Sequence, residues 1–265
     1  DSDQGLLLRK AADLHIKDTY PDYRFMLQDP SIDVIDVMTP HYLHKQCVCD
    51  ALKAGKTVIC EKPLATTQKD VDAIFATSRV TKRSVYVKEY FRYSLANQKA
   101  QALLRDQRIG VPYYVQCMFT GDSRKEYLNP LAWRGNITQS GGGVFMDVGV
   151  HMLDWLQLLF GSPYAIYAQH RKITTKLQDK GEDFATVVVE FPDNFIANIS
   201  TTHNDIGYKF RWEVRIYGTE GVLTLLDAGK QYKTLQMIKE NQVLYEYIEP
   251  EWWKQANIRA LHTII

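Results

Sequence analysis

Up to about Arg92, short apolar runs alternate with helical patterns, the grammar of a parallel sheet with crossover helices. Val34-Ile35-Asp36-Val37-Met38, Thr57-Val58-Ile59-Cys60 and Ser84-Val85-Tyr86-Val87 read as strands. Between the first two, His41 to Ala54 predicts a helix stopped by Gly55, a residue suited to the left-handed position after a helix end. Thr67-Gln68-Lys69-Asp70 resembles a capping box and opens a helix to about Ser78. Gly5 to Leu14 predicts a further helix.

Beyond Arg92 the period shortens to two. Phe184 to Phe191 and Phe195 to Thr202 flank Pro192-Asp193-Asn194, a hairpin signal, and Phe210 to Tyr217 and Val222 to Leu226 flank Gly218 to Gly221. With Tyr113 to Phe119, Tyr164 to His170 and Val243 to Ile248, these runs predict a largely antiparallel sheet of six or more strands. A helix over Gly143 to Phe160, ended by Gly161-Ser162-Pro163, is apolar almost all round and is expected to be buried on that sheet. A sheet covered on one side only would show water a row of Val, Ile and Tyr side chains, so a homodimer or homotetramer is expected.

That helix carries Asp147 and His151 four residues apart, about one turn along one face. Burying both would cost several kcal/mol unless they pair or face a polar cavity. Two readings follow: a catalytic acid/base site, or a satisfied interior Asp/His pair. In an open parallel sheet, ligands bind beyond the carboxyl ends of the strands. One such end runs into Thr39-Pro40-His41-Tyr42-Leu43-His44 and another into Glu61-Lys62-Pro63. Pro63 biases Lys62 toward an extended backbone, which holds its ammonium at the strand end as a donor to a substrate oxygen. Taken alone, Lys62 also reads as a solvated loop lysine. His41, His44, Asp147 and His151 offer no matched third or fourth ligand, so no metal is expected.

Composition narrows the class. The 265 residues are 45% hydrophobic and 24% charged, with a net charge of +1 and no Lys/Arg-rich run, which argues for a globular protein and against nucleic acid as a partner. No run of about 20 apolar residues suggests a membrane span. Cys47, Cys49, Cys60 and Cys117 form no C-x-x-C pair and read as reduced, packed cysteines, which favours a cytoplasmic protein.

In order along the chain, Thr39-Pro40 with His44, Ala51 to Lys56, Glu61-Lys62-Pro63, Trp133-Arg134, Gly141-Gly142-Gly143, Asp147, Gly149 and His151 resemble the Gfo/Idh/MocA family of nicotinamide-dependent oxidoreductases. The resemblance implies an α/β fold: a Rossmann-type domain over residues 1–91, then a substrate-binding and oligomerisation α+β domain over 92–265. Family members begin with a strand, a G-x-G-x-x-G turn and a helix. This sequence starts without them, so its first βα unit is expected to be missing, and its end also falls short of the family's last elements.

The resemblance further implies hydride transfer between NAD or NADP and a hydroxyl carbon of a sugar, nucleotide sugar or cyclitol. His151 would take the hydroxyl proton, Asp147 would orient the substrate or the imidazole, and Lys62 would hydrogen-bond the reacting oxygen. Thr39, Pro40, His44 and Glu61 would line the cofactor. Asp1, placed near the end of the family's second strand, would take the ribose hydroxyls and favour NAD. Tyr90, Arg92, Trp133 and Arg134 are candidate substrate neighbours, with an interdomain salt bridge as the other reading of Arg92. Asp122, Arg124 and His203 are further polar candidates, although the sequence around His203 offers no context for it. The competing functions are an NAD-dependent glycosidase acting by transient oxidation and a non-catalytic binding or assembly module of the same fold.

Overall fold

A computed structural model describes residues 3–129, 132–174, 181–207, 210–227, 229 and 231–264. The chain divides into two compact units, Asp1–Thr39 with Leu43–Val87, and Pro40–Tyr42 with Lys88–Ile265.

In the first unit, α1 (Gln4–Asp13) and the short α2 (Tyr23–Met26) precede β1 (Val34–Val37), α3 (His41–Lys53), β2 (Thr57–Glu61), α4 (Gln68–Thr81) and β3 (Val85–Lys88). The strands form one sheet in the order β1-β2-β3, and β1 runs parallel to β2 with Val34 opposite Thr57. Ile35 and Val37 of β1, Val58 of β2, Val48 and Leu52 of α3 and Ile74 of α4 share one apolar cluster. Gly55 ends α3 at φ +78°, where a side chain would be strained. Thr67 caps α4: its hydroxyl oxygen accepts from Asp70 N at 3.2 Å and its hydroxyl donates to the Asp70 carboxylate at 2.8 Å.

The second unit opens with a 3-10 turn (Tyr90–Tyr93) and α5 (Leu95–Arg105), then β4 (Pro112–Thr120), α6 (Arg124–Leu128) and α7 (Ile137–Ser140). A π-helical turn, Phe145–Gly149, leads into α8 (Val150–Phe160), and β5 to β11 and α9 (Trp252–Ile264) complete it. Eight strands lie in the order β11-β10-β9-β8-β4-β7-β6-β5, where β5 is Ala165–Arg171, β6 Phe184–Phe191, β7 Phe195–Thr202 and β8 Arg211–Gly218. The rest are β9 (Gly221–Asp227), β10 (Tyr232–Lys239) and β11 (Gln242–Pro250). Only the β4–β7 neighbours are parallel among the recorded pairings, so the sheet is mostly antiparallel.

Alternate residues on one face, such as Val115, Val189, Ile199 and Ile216, pack with Ala100 of α5, Trp155 of α8 and Trp252 of α9 into one core. The opposite face is more polar than a row of aliphatics: Gln116, Asn198 and Arg215 stand beside Met118 and Ile196, and Thr186 and Ser200 are hydrogen-bonded across β6 and β7 at 3.0 Å. β10 escaped the pattern because Lys233 occupies an inward position between apolar neighbours.

One expectation needs correction. The stretch Ile137–Phe160 reaches a mean hydropathy of 1.2 over an 18-residue window. Its apolar side chains serve the core, with Val144, Met152, Trp155 and Leu156 all buried against the sheet. The helix is not buried all round, since Leu158 is exposed.

Candidate active site

Glu89 follows β3 directly and caps the 3-10 turn, accepting from Phe91 N at 3.1 Å through Oε1. That turn carries the Phe91 ring into the core. His151, on the first turn of α8, places Nδ1 2.7 Å from both Glu89 oxygens, and the two side chains are 3% and 7% exposed. Phe91 lies nearly parallel to the imidazole at 4.9 Å, and the Tyr90 ring stands 4.9 Å away. An ionised carboxylate only accepts, so Nδ1 carries the proton, and Nε2 of the neutral ring is left as the acceptor. Nε2 makes no hydrogen bond to any described residue.

Asp147 sits in the π-helical turn, a distortion common at functional sites. Two features hold this turn in place. Gly143 packs so tightly on the Glu182 backbone that a Cβ there would lie 1.9 Å from its carbonyl oxygen. The Glu182 carboxylate accepts from Gly143 N at 2.9 Å and Phe145 N at 3.0 Å, which satisfies open amides at the helix start. Asp147 Oδ2 accepts from the Tyr127 hydroxyl at 3.1 Å, His203 Nε2 lies 3.0 Å from that hydroxyl, and Arg134 Nε is 3.9 Å from Asp147 Oδ1.

The interior Asp147/His151 pair does not form. Each side chain has its own partner on a different element, and Glu89 takes the imidazole because it offers two oxygens at 2.7 Å within the same buried cluster. His151 Nδ1 is thus held by Glu89 and not by Asp147.

The remaining candidates have defined surroundings. Tyr90 is half-buried beside His151. Arg92 binds Asp154 through two bonds of 2.7 and 2.6 Å, both residues in the second unit, so its salt bridge is not interdomain. Arg134 pairs with Glu126 at 2.9 Å and lies over the Trp133 ring at 4.5 Å. In the first unit, His44 Nδ1 and Nε2 each lie 2.8 Å from a carbonyl, those of Pro63 and Thr39, so its ring ties together the chain segments that follow β2 and β1. Thr39 Oγ1 is buried with no hydrogen-bond partner among the described residues beyond an interaction with the Cys47 thiol. Glu61 ends β2 and is partly exposed, as is Lys62, whose peptide to Pro63 is cis. Pro40 groups with the second unit, and Asp1 lies outside the described residues. Among the described residues, no three His, Cys, Asp or Glu side chains converge as a metal centre does.

Glu89 and Tyr127 are the members of this arrangement that the sequence did not single out, and His203, a polar candidate there, joins them through the Tyr127 hydroxyl. Glu89 had one local signal, an acidic residue directly after a strand end.

Residues 1–89 match the oxidoreductase family with an NAD-binding Rossmann fold, and residues 97–224 match the GFO/IDH/MocA C-terminal domain. Levoglucosan dehydrogenase of Pseudarthrobacter phenanthrenivorans is 27% identical over 222 residues, covering 76% of this chain and 57% of that protein. Trans-1,2-dihydrobenzene-1,2-diol dehydrogenase of Oryctolagus cuniculus is 27% identical over 245 residues, 88% of this chain and 70% of its own. A solved levoglucosan dehydrogenase in complex with NADH and levoglucosan superposes with a TM-score of 0.84 at 21% identity, covering 98% of this chain and 77% of that one, a likeness of fold. The chain thus spans little more than half the length of the first of these relatives.

Proposed function

The chain belongs to the Gfo/Idh/MocA oxidoreductase family, and on that premise we propose that it transfers a hydride between NAD or NADP and a hydroxyl-bearing carbon of a sugar, nucleotide sugar or cyclitol. The observation that carries this reading is the buried Glu89–His151 couple, whose Nε2 has no hydrogen bond to a described residue. The nicotinamide cofactor supplies, when bound, a carbon that accepts or returns the hydride.

The chain's own residues handle the proton. His151 Nε2 removes it from the substrate hydroxyl in oxidation and returns it in reduction. Glu89 fixes the tautomer through Nδ1 and stabilises the imidazolium that forms. Asp147, held by Tyr127, hydrogen-bonds a substrate hydroxyl, and Arg134, Trp133 and Tyr90 serve the remaining hydroxyls and ring faces of a polyol. Lys62 donates to the reacting oxygen and favours its negative charge. Arg92 keeps Asp154 paired and takes a structural part.

The residues fit a nicotinamide cofactor at one observable point. The Thr39 hydroxyl is buried without a full partner at the carboxyl end of β1, on a segment that His44 braces, and it suits a polar cofactor group. Pro40 and Glu61 belong to the same strand-end segments. Both named dehydrogenase relatives support an alcohol as substrate, and the sugar of the first favours a polyhydroxylated ring. The exposed Met118 and Ile196 on the outer face of the large sheet favour a homodimer or homotetramer, and sedimentation as a monomer at micromolar concentration would count against that assembly.

The test uses the full-length protein with NAD and levoglucosan as a first probe, followed by a panel of sugars and cyclitols. His151→Ala and Lys62→Ala should each lower kcat by about 10²- to 10⁴-fold while NADH affinity, read by fluorescence titration, stays near that of the parent. Near-parental turnover in both variants would overturn the assignment.

A further inference from the structure

Phe91 joins the candidate base to a buried lysine. Its backbone N–H donates to Glu89, its ring lies 4.9 Å from the His151 imidazole at 13°, and Lys233 Nζ stands over the same ring at 4.6 Å. A parallel imidazole covers one face of Phe91, which leaves the other to the ammonium. Lys233 also lies over the Trp252 ring at 4.5 Å, and the residue is 3% exposed. Among the described residues its ammonium meets these two ring faces and no carboxylate at ion-pair distance.

The position is a costly one for a charge. On β10, Lys233 is directly opposite Asp227 of β9 and Glu249 of β11, both buried. Glu249 is already served by the Ser94 hydroxyl, the Leu95 and Ala96 amides and the Arg259 guanidinium. Burial pulls the Lys233 ammonium down to about 8, with Asp227 and Glu249 opposing, so the group is still a cation at neutral pH. An apolar side chain would fill this core position without that cost.

The Glu89–His151 couple is where such a charge is useful. A carboxylate with both oxygens 2.7 Å from Nδ1 draws the ring toward imidazolium, and an imidazolium standing in the resting enzyme has both nitrogens protonated and accepts nothing. The Lys233 ammonium pushes the other way. Distances of 4.6 and 4.9 Å from one ring centre put the two cations within about 10 Å of each other, where an effective dielectric of about 20 leaves a repulsion worth about one pH unit. The other ionisable groups around the imidazole, among the described residues, are Lys88 and Tyr90 on either side of Glu89, the Arg92–Asp154 pair, and Asp147 with Arg134 beside it. Around the lysine they are Asp227, Glu249 and Arg259.

We propose that Lys233 is a positioning residue for the proton chemistry of His151: its ammonium, acting across the Phe91 ring, offsets Glu89 and keeps the imidazole in the neutral form that accepts a proton, a purpose that rests on the dehydrogenase reading. Glu89 alone would make the ring hold its proton; the two charges together let it take one and give it back.

Lys233→Met keeps the length of the side chain and removes the charge. With levoglucosan and NAD, the acid limb of kcat/KM should move up by about one pH unit, so oxidation at the foot of that limb falls about tenfold, while NADH affinity stays near that of the parent. Lys233→Arg keeps the charge and should hold the limb near its parental place. A readout independent of turnover is the ¹⁵N titration of the His151 ring, which should move up by about half a pH unit or more in Lys233→Met. An unmoved limb, or a His151 titration within about 0.2 pH unit of the parent's, in folded Lys233→Met overturns the proposal. Should that variant not fold, the parent alone decides: the His151 ring signals should show a second, smaller inflection at about pH 8, in step with the Lys233 Nζ signal, and a single inflection overturns the coupling. A parent that oxidises no polyol would sink the dehydrogenase reading, and the titration would still decide whether Lys233 acts on His151.

Discussion

Replacing Glu89 by Gln changes one atom and should silence His151. In the parent, Glu89 Oε1 accepts from Phe91 N at 3.1 Å while both oxygens lie 2.7 Å from His151 Nδ1. A glutamine has only one acceptor oxygen, and Phe91 N, a buried donor fixed by the 3-10 turn, claims it. The amide NH2 then faces Nδ1, the imidazole switches tautomer, and the proton sits on Nε2, where the substrate hydroxyl needs an acceptor. The ring also loses the anion that stabilises its protonated form. A base in the wrong tautomer forfeits most of general-base catalysis, about 10²- to 10⁴-fold, or about 3 to 5 kcal/mol of transition-state stabilisation. The assay is kcat/KM for polyol oxidation against pH, in parent and Glu89→Gln, with NADH affinity measured alongside. Urea unfolding should show a change of only about 1 kcal/mol, because the amide still fills the site and keeps two partners. Glu89→Gln protein that turns over within about threefold of the parent, on an unaltered pH profile, would refute the role given to this couple.

Three further outcomes follow from other parts of the molecule. Lys233 is buried over the Phe91 and Trp252 rings, and burial, partly opposed by Asp227 and Glu249, pulls its ammonium down to about 8. An unfolded lysine keeps its proton to about pH 10.5, so between about pH 8 and 10.5 the unfolded state binds more protons and this group's contribution to stability rises with pH, by at most about 3 kcal/mol. Urea unfolding of the parent should therefore gain on Lys233→Met across that window, and parallel curves would contradict the burial. Gly143→Ala forces a Cβ to 1.9 Å from the Glu182 carbonyl oxygen, backbone against backbone, so the variant should lose the π-helical turn and with it activity, or fail to fold; a fully active, equally stable Gly143→Ala excludes that packing. All four cysteines are buried and form no disulfide, and burial drives the Cys117 thiol far above its ordinary range, so a thiol reagent should label them only on unfolding; rapid labelling of Cys117 in the native protein would disprove its environment.

Local chemistry made most of the fold legible. The Phe184–Phe191 and Phe195–Thr202 hairpin could be read because each strand alternates strictly and the turn at Asp193 and Asn194, at φ +60° and +57°, uses residues that tolerate left-handed angles. α4 was legible because its cap is a local contact between Thr67 and Asp70. β10 was not, because a charged residue on the core face breaks the alternation, and the partners that make Lys233 tolerable, Phe91, Trp252, Asp227 and Glu249, are remote in sequence.

The site divides along the same line. Asp147 and His151 announce themselves because a charged and a titratable residue stand in an apolar helix, which is a local anomaly. Their partners do not: Glu89 is 62 residues from His151, and His203 is 76 residues from Tyr127, so nothing in either neighbourhood refers to the other. Two ionisable residues one turn apart invite the inference that they serve each other, and the structure shows why that fails. A buried imidazole and a partly buried carboxylate each need more hydrogen bonds than one helix face can supply, so each recruits its own element, the strand-end Glu89 for one and α6 with the loop after β7 for the other. The separation has a chemical consequence. A directly paired Asp147 and His151 would titrate as one couple and share a single proton. Held apart on independent partners, His151 can act as base through Nε2 while Asp147 hydrogen-bonds a second hydroxyl, so two groups of a polyol are addressed from one helix. The same independence lets Asp147→Asn and Glu89→Gln be read separately: the first should raise KM for the polyol, the second change the pH profile of kcat/KM. If the two defects merged into one in the double variant, the division of labour drawn here would be wrong.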